Sequence, residues 1–432
     1  MSDQRAKRRG TTVARTASTR NTLTRNTPTR SASARSDPTR SASARGRDRN
    51  SRQARPTEET ILRWALAVLL GLGGLMVWSA SSVTSQRDSG NTWSVLAKHS
   101  IYMAIGLALA LLASRIPLRV WRERLAPLLL VVSFAGLVLL AVPGMPLATE
   151  VNGASRWLRV GPLGFQPSEL AKLALVLWLA QYLVTHRSTL AQWSVLKRAA
   201  FVAAPLCALV LVGDDLGTTL LLGVIFAALW LLSGAPVRQV MAVGGAMLGA
   251  ALISITYLEG FRVQRVLAFL SPEDHVSGAG YQTLQSQIGF ASGGLWGRGP
   301  GASKAKWGFL PESHTDFILA VIGEEMGLIG TILIIGSLIA VVAAGIRIGS
   351  RTRDPYGRLV AYGISAWLGV QAGVNVAVAV GALPTKGIPL PFVSSGGTSM
   401  IVSLLAVGVL FSISRTNQPA DPRRRQRPAR AR

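Results

Sequence analysis

Long apolar runs separated by short polar stretches recur along this chain from residue 61 to residue 413. Runs of about 18 residues or more match what an α-helix needs to cross the hydrocarbon core of a bilayer. Ten such spans are predicted, at residues 61–80, 95–113, 125–142, 168–185, 198–213, 215–232, 237–257, 316–345, 358–382 and 391–413. The expected fold class is therefore an all-α polytopic membrane protein of ten transmembrane helices, with a large extracytoplasmic loop between helices 7 and 8. That loop opens with Val263, Val266, Leu267 and Leu270 at i, i+3, i+4, i+7 and with Arg262 and Arg265 opposite. This is the pattern of an amphipathic helix lying on the membrane surface.

Charge adds the orientation. The 432 residues are 49% hydrophobic and carry a formal net charge of +26, much of it in the two tails. Three segments follow: a basic cytoplasmic tail at 1–57, a membrane domain at 58–414 and a second basic tail at 415–432. Arg recurs every fifth residue from Arg15 to Arg45. That step smears the charge around a helix instead of making one face, so disorder is expected of the first tail. An anionic lipid surface or an acidic partner would suit it. Alternation places Arg115, Arg119, Arg122, Arg124, Arg187, Lys197, Arg198, Arg238, Arg347, Arg351 and Arg353 on the same side as both termini. The positive-inside rule makes that side cytoplasmic. Cys207 is the only cysteine, which excludes an internal disulfide and argues against metal–thiolate chemistry.

Candidate chemistry lies in the outward segments. Arg156 beside Trp157 offers a guanidinium fork for an anionic headgroup. Trp157 alone would serve equally as an interface anchor. Ser168 is placed to cap the fourth span, and Glu169 and Lys172 lie three residues apart, either as a self-neutralising pair or as a site wall. Asp214 and Asp215 open the sixth span as caps or as site groups. A glycine-dense run, Gly289 to Gly301, leads through Lys304 and Lys306 to Leu310-Pro311-Glu312-Ser313-His314-Thr315-Asp316. Thr315 or Asp316 can cap the eighth span. Glu324 and Glu325 then fall inside that span, where ionisable groups are costly and commonly functional. On a continuous helix Glu324 would lie about 80° from Asp316 and Glu325 nearly opposite. The last outward segment, Leu383 to Phe392, holds Pro384, Pro389 and Pro391 and is closed by Ser394-Ser395-Gly396-Gly397.

Together these pieces resemble the SEDS family of peptidoglycan polymerases, over roughly residues 60–415. The resembling residues are Asn152–Leu158, Gln166–Glu169 with Lys172, Asp215-Leu216-Gly217, Tyr281-Gln282 with Gln285-Ser286, Gly293–Lys306, Leu310–Glu325 and Leu383–Ser399. Thr385-Lys386-Gly387 is similar to the division branch of that family. Ser395 stands where the family usually has Tyr, and Gly213-Asp214 where it usually has Gln-Pro. The resemblance implies polymerisation of lipid II into glycan strands at the outer face of the bacterial cytoplasmic membrane, at the division septum. It implies Asp316 as the catalytic carboxylate. It draws substrate-binding groups from Arg156, Trp157, Glu169, Lys172, Asp215, Lys304, Lys306, His314, Glu324, Lys386 and Ser394. Glycosyl transfer from a pyrophosphate needs a base for the acceptor hydroxyl and cations for the leaving group. Arg156, Lys304, Lys306 or Lys386 could supply the cations, with a divalent ion as the alternative and no other cofactor expected. An α-linked donor giving a β-linked product requires inversion. The expected partners are a class B penicillin-binding transpeptidase and other division proteins. A lipid II flippase is the competing reading, and a division scaffold a third.

Overall fold

The structure, a computed structural model, describes residues 57–151, 154–161, 163–254, 260–271 and 278–416. The expectations for the N-terminal tail, and for the C-terminal tail beyond Thr416, lie outside these residues. The helices are α1 (Glu58–Ser89), α2 (Ser94–Ala113), α3 (Leu118–Val120), α4 (Ala126–Ala141), α5 (Pro167–Thr185), α6 (Trp193–Val212), α7 (Leu216–Leu232), α8 (Val237–Ile253), α9 (Gly260–Leu270), α10 (Ala279–Gly293), α11 (Ile318–Arg351), α12 (Pro355–Ala379) and α13 (Gly397–Thr416). A π turn at Trp121–Leu125 joins α3 to α4.

Local chemistry explains the boundaries. Thr57 caps α1 by accepting from the Thr60 amide, Glu58 and Glu59 fill its first turn, and Gly90 ends it in the left-handed region, each favoured by the free groups and dipole of a helix end. Gln166, and not Ser168, occupies the cap position of α5, because Pro167 already begins the helix.

Eight spans among the described residues are long and apolar enough to cross a bilayer: α1, α2, α3 with α4, α5, α6, α11, α12 and α13. The sixth and seventh expected spans form as α7 and α8, of 17 residues each. At 1.5 Å per residue α7 reaches roughly 26 Å, short of the ~30 Å hydrocarbon core, while α8 is described only as far as Ser254. α5 lies at the centre, with Leu173, Ala174, Val176, Leu177, Leu179 and Ala180 all buried, as an apolar surface all round a helix requires.

The two ends of the bundle differ. At one end Arg351 pairs with Glu58, Ser414 donates to Glu59, and Arg415 donates to the carbonyl of Ser114. At the other end a small antiparallel sheet, β1 (Ala148–Val151), β2 (Ala154–Val160) and β3 (Leu163–Phe165), in order β1-β2-β3, lies between α4 and α5. The all-α expectation did not include it.

The segment expected as one long loop is largely built. α9 forms where the amphipathic pattern places it. α10, which apolar patterning did not predict, runs alongside the start of α11: Gly289 meets Ala320, Gly293 meets Gly323 and Glu324, and Gly297 meets Glu325 and Gly327. The chain then climbs back to Leu310, making a re-entrant hairpin. α11 is itself interrupted at Gly327, which has φ 66° and ψ −162°. The hairpin backbone fills the break: Leu328 N–H donates to Gly294 O at 2.9 Å and Arg298 N–H to Glu324 O at 2.9 Å. Non-helical backbone is tolerated at membrane depth where protein satisfies it.

Candidate active site

Residues 311–317 form successive turns, and α11 begins only at Ile318, with Phe317 at its cap and no side-chain capping bond. The expectation that Thr315 or Asp316 caps this helix is therefore corrected. Thr315 Oγ1 turns back to donate to Glu312. Glu312 itself takes φ 56°, a sparsely populated conformation outside glycine.

What holds Asp316 is its backbone. Three consecutive carbonyls are pinned by the opposite wall. Ser395 N–H and Oγ donate to His314 O at 3.1 and 2.8 Å. Ser394 Oγ donates to Thr315 O at 2.6 Å, and Asn375 Nδ2 to Asp316 O at 2.9 Å. The half-buried carboxylate of Asp316 accepts no hydrogen bond from the described residues. Its Oδ2 lies 3.5 Å from where a Cβ on Gly387 would sit.

Next to it is a cavity of about 110 Å³ lined by Arg156, Asp214, Asp215, Leu216, Gly217, Arg265, Val266 and Pro384 to Gly387. Two of the sequence candidates serve double duty here. Arg156 lines the cavity while its guanidinium grips the α6–α7 turn, Nε donating to Gly213 O at 2.9 Å and Nη2 to Asp214 O at 2.6 Å. Asp215 lines the cavity and caps α7, Oδ1 accepting from Thr218 N–H at 2.9 Å. Asp214 has φ 61°, closed to a proline, whose ring fixes φ near −65°. The Gly213-Asp214 departure therefore gives this turn a conformation that Gln-Pro could not take. A second, mostly apolar cavity of about 270 Å³ between α7 and α12 shares Gly217, Pro384 and Lys386 with the first.

Arg265 is the site group that sequence reasoning missed. It was legible only as the polar face of α9. Its position over Thr385, whose carbonyl it meets at 3.5 Å, depends on how α9 folds back.

Other candidates stand elsewhere. Trp157 follows Arg156 on β2, so strand alternation sends it to the opposite face, against Gly164. Glu169 and Lys172 form a buried pair at 2.7 Å, with Lys172 also donating to Gln371 Oε1 at 2.9 Å. They brace α5 against α12. Glu324 accepts from Ser303 Oγ at 2.5 Å, Lys304 N–H at 2.9 Å and Arg298 at 3.2 Å. It thus faces the hairpin and not the cavity. Glu325 accepts from Ser79 at 2.7 Å and pairs with Lys306 at 3.6 Å. Lys306 is buried in that pair and also donates to Gly301 O. Lys304 is exposed and meets Glu324 only through its backbone. His314 and Ser394 belong to the brace around Asp316.

Electrostatics single out the same groups. Burial, and then the negative charge of Glu312, push the Asp316 carboxyl up to about 7; Asp215 adds to the rise, and Arg265 and Arg156 oppose it. Burial lowers Lys386 against the pull of Asp215. Burial likewise lowers His314, against Glu312 and Asp88. Among the described residues no three His, Cys, Asp or Glu side chains cluster closely enough to hold a metal ion.

A polytopic helical bundle with an uncommitted carboxylate beside a cationic, part-apolar double cavity defines an integral membrane protein suited to an anionic amphiphile. Residues 60–419 match the family described as "Cell cycle protein", that of FtsW, RodA and SpoVE, and the chain belongs to it. It is 40% identical over 369 residues to "Probable peptidoglycan glycosyltransferase FtsW" of Idiomarina loihiensis, covering 84% of this chain and 88% of that protein. The Geobacter metallireducens protein of the same name is 39% identical over 361 residues, 82% of this chain and 93% of its own. Among solved structures, a chain of "Structural coordination of polymerization and crosslinking by a peptidoglycan synthase complex" superposes with a TM-score of 0.68 at 28% identity, covering 82% of this chain and 97% of that one. Rod shape determining protein RodA of Thermus thermophilus gives 0.60 at 26% identity, over 83% and 97%.

Proposed function

We propose that this chain is a peptidoglycan glycosyltransferase that polymerises lipid II at the outer face of the cytoplasmic membrane during division, by inverting transfer with Asp316 as general base. The observation that carries the reading is the state of Asp316: a carboxylate that caps no helix, accepts no hydrogen bond among the described residues, and is pushed by burial and the charge of Glu312 up to about 7. A base works best when its pKa lies close to the operating pH. Lys386 and Arg265 across the cavity meet the departing pyrophosphate, where low dielectric strengthens preorganised cations. The apolar cavity that shares Lys386 accepts the adjoining lipid. The acceptor sugar's hydroxyl gives its proton to Asp316 as its oxygen attacks the anomeric carbon, and the pyrophosphate leaves with the bonding electrons. A divalent ion shared between a carboxylate and the substrate's pyrophosphate is the alternative to these cations, and no step is assigned to one.

The flippase reading draws support from the break in α11, since transporters place sites at discontinuous helices. Here the hairpin occupies that break, and Glu324 and Glu325 spend their oxygens on Arg298, Lys306 and Ser303. Both termini are assigned to the cytoplasm on the basic loops. A transpeptidase that crosslinks the new strands is the partner assigned, as the relative in a polymerising and crosslinking complex suggests.

Asp316→Asn tests the assignment, since Asn keeps the size but takes no proton at neutral pH. Glycan synthesis by the folded variant is expected to fall by about 10²–10⁴-fold or more while lipid II binding persists. Near-normal polymerisation would sink the base.

A further inference from the structure

Gln371 and Asn375 lie one turn apart on the same face of α12, and both turn amide donors on the proline segment. Gln371 accepts from Lys172 and Trp367 and donates to Pro389 O at 2.9 Å. Asn375 does something further. Its single Nδ2 gives one bond to Ile388 O at 2.8 Å and another to Asp316 O at 2.9 Å. Ile388 N–H in turn donates to Lys386 O at 2.9 Å. One nitrogen thus joins the segment carrying the carboxylate to the segment carrying Lys386, whose side chain lines the adjoining cavity. Asn375 is 2% exposed, and its Oδ1 is buried without a partner. An unpaired buried acceptor costs stability that an apolar residue of the same shape would avoid. The donors therefore account for an amide at this position.

We propose that Asn375 is a positioning residue for glycosyl transfer, setting Asp316 in register with Lys386 through one bifurcating amide. The inference rests on Asp316 being the base. Misplacement of a reacting group by about 1 Å can cost on the order of 100-fold in rate. A brace on Asp316's own carbonyl is therefore felt in turnover before it is felt in binding. The charged groups that act on the carboxylate are Glu312 on its own segment, Asp215 on the α7 side, Arg156 on β2 and Arg265 on α9; Lys386, on the proline segment, lines the adjoining cavity. None is altered by changing Asn375.

The test uses full-length protein with its transpeptidase partner present and lipid II as substrate, scored per folded molecule. Asn375→Leu removes both donors at similar volume, and Asn375→Ser, which keeps one hydroxyl donor, carries the test where the first does not fold. The expected result is a kcat lower by about 10- to 100-fold with KM for lipid II within about threefold. The acidic limb of kcat/KM, which reports the free enzyme's base, is expected to move to lower pH as the carboxylate leaves its buried position. Wild-type turnover per folded molecule overturns the proposal. So does a loss matched by a rise in KM with the acidic limb unmoved, the mark of a merely structural amide. Asp316→Asn is run alongside. If that variant is inactive while the Asn375 variants behave as wild type, positioning fails alone; if it polymerises, the base reading fails and takes this inference with it.

Discussion

At the residue scale, Asp316 is held by its backbone so that its carboxylate can be left unpaired, and the pH dependence follows. With Asp316 as the proposed base, protonation would disable it, so polymerisation is expected to fall about tenfold per pH unit below a midpoint near 7, measured as initial glycan synthesis in buffers from pH 5 to 9. Stability carries the opposite imprint. Between the ordinary value of 3.8 and about 7 the folded protein holds a proton that the unfolded chain has lost. Stability therefore falls as pH rises through that window. Asp316→Asn is expected to melt higher than the wild type at pH 8, with the difference shrinking towards pH 4; an equal difference at both would refute the burial account.

At the element scale, the re-entrant hairpin explains why two acids can sit inside α11. The ion pairs Arg298–Glu324 and Lys306–Glu325 and the Ser79 and Ser303 hydrogen bonds offset a desolvation cost that an unpaired carboxylate at this depth would not recover. The pairing depends on backbone contact. A Cβ on Gly293 would clash with the backbone at Gly323 O and Glu324 Cα. Gly293→Ala must push the hairpin off α11, and overpacking of this kind costs about 1–3 kcal/mol or more. The expected readout is a lower melting temperature in detergent together with reduced activity. Gly71, with open space around it on α1, is the control: Gly71→Ala is expected to leave both near the wild type.

At the scale of the whole molecule, the helix ends that meet at Glu58, Ser114, Arg351 and Arg415 lie opposite the end that carries Asp316. Labelling with a membrane-impermeant thiol reagent is expected to reach Phe309→Cys on intact cells and Arg353→Cys only after permeabilisation, with the native Cys207 replaced by Ala. Labelling of both from one side would overturn the topology. Deleting residues 1–56, whose repetitive Arg-, Ser- and Thr-rich composition supplies no catalytic constellation, is expected to leave polymerisation of lipid II in detergent within about twofold and to alter localisation in the cell.

Much of this was legible along the chain because bilayer thickness and helix rise are local constraints. The eight long spans, the amphipathic α9 and the turn-rich Leu310–Asp316 and Leu383–Phe392 segments follow from them. The carboxylate and the cations Arg156 and Lys386 were readable from residue type and place. Depth and pairing were not. Patterning shows Glu324 and Glu325 in an apolar run, and helical projection turns Glu324 towards Asp316. Only tertiary structure brings Arg298 and Ser303 up against them and breaks α11 at Gly327. Patterning shows Arg265 on a surface helix, and only the fold swings that helix over Thr385. Asn375, polar in an apolar span, carried no sign of what it holds. Its partners lie 59 residues upstream and 13 downstream, and a hydrogen bond across that separation is set by how α12 packs, which no local pattern records.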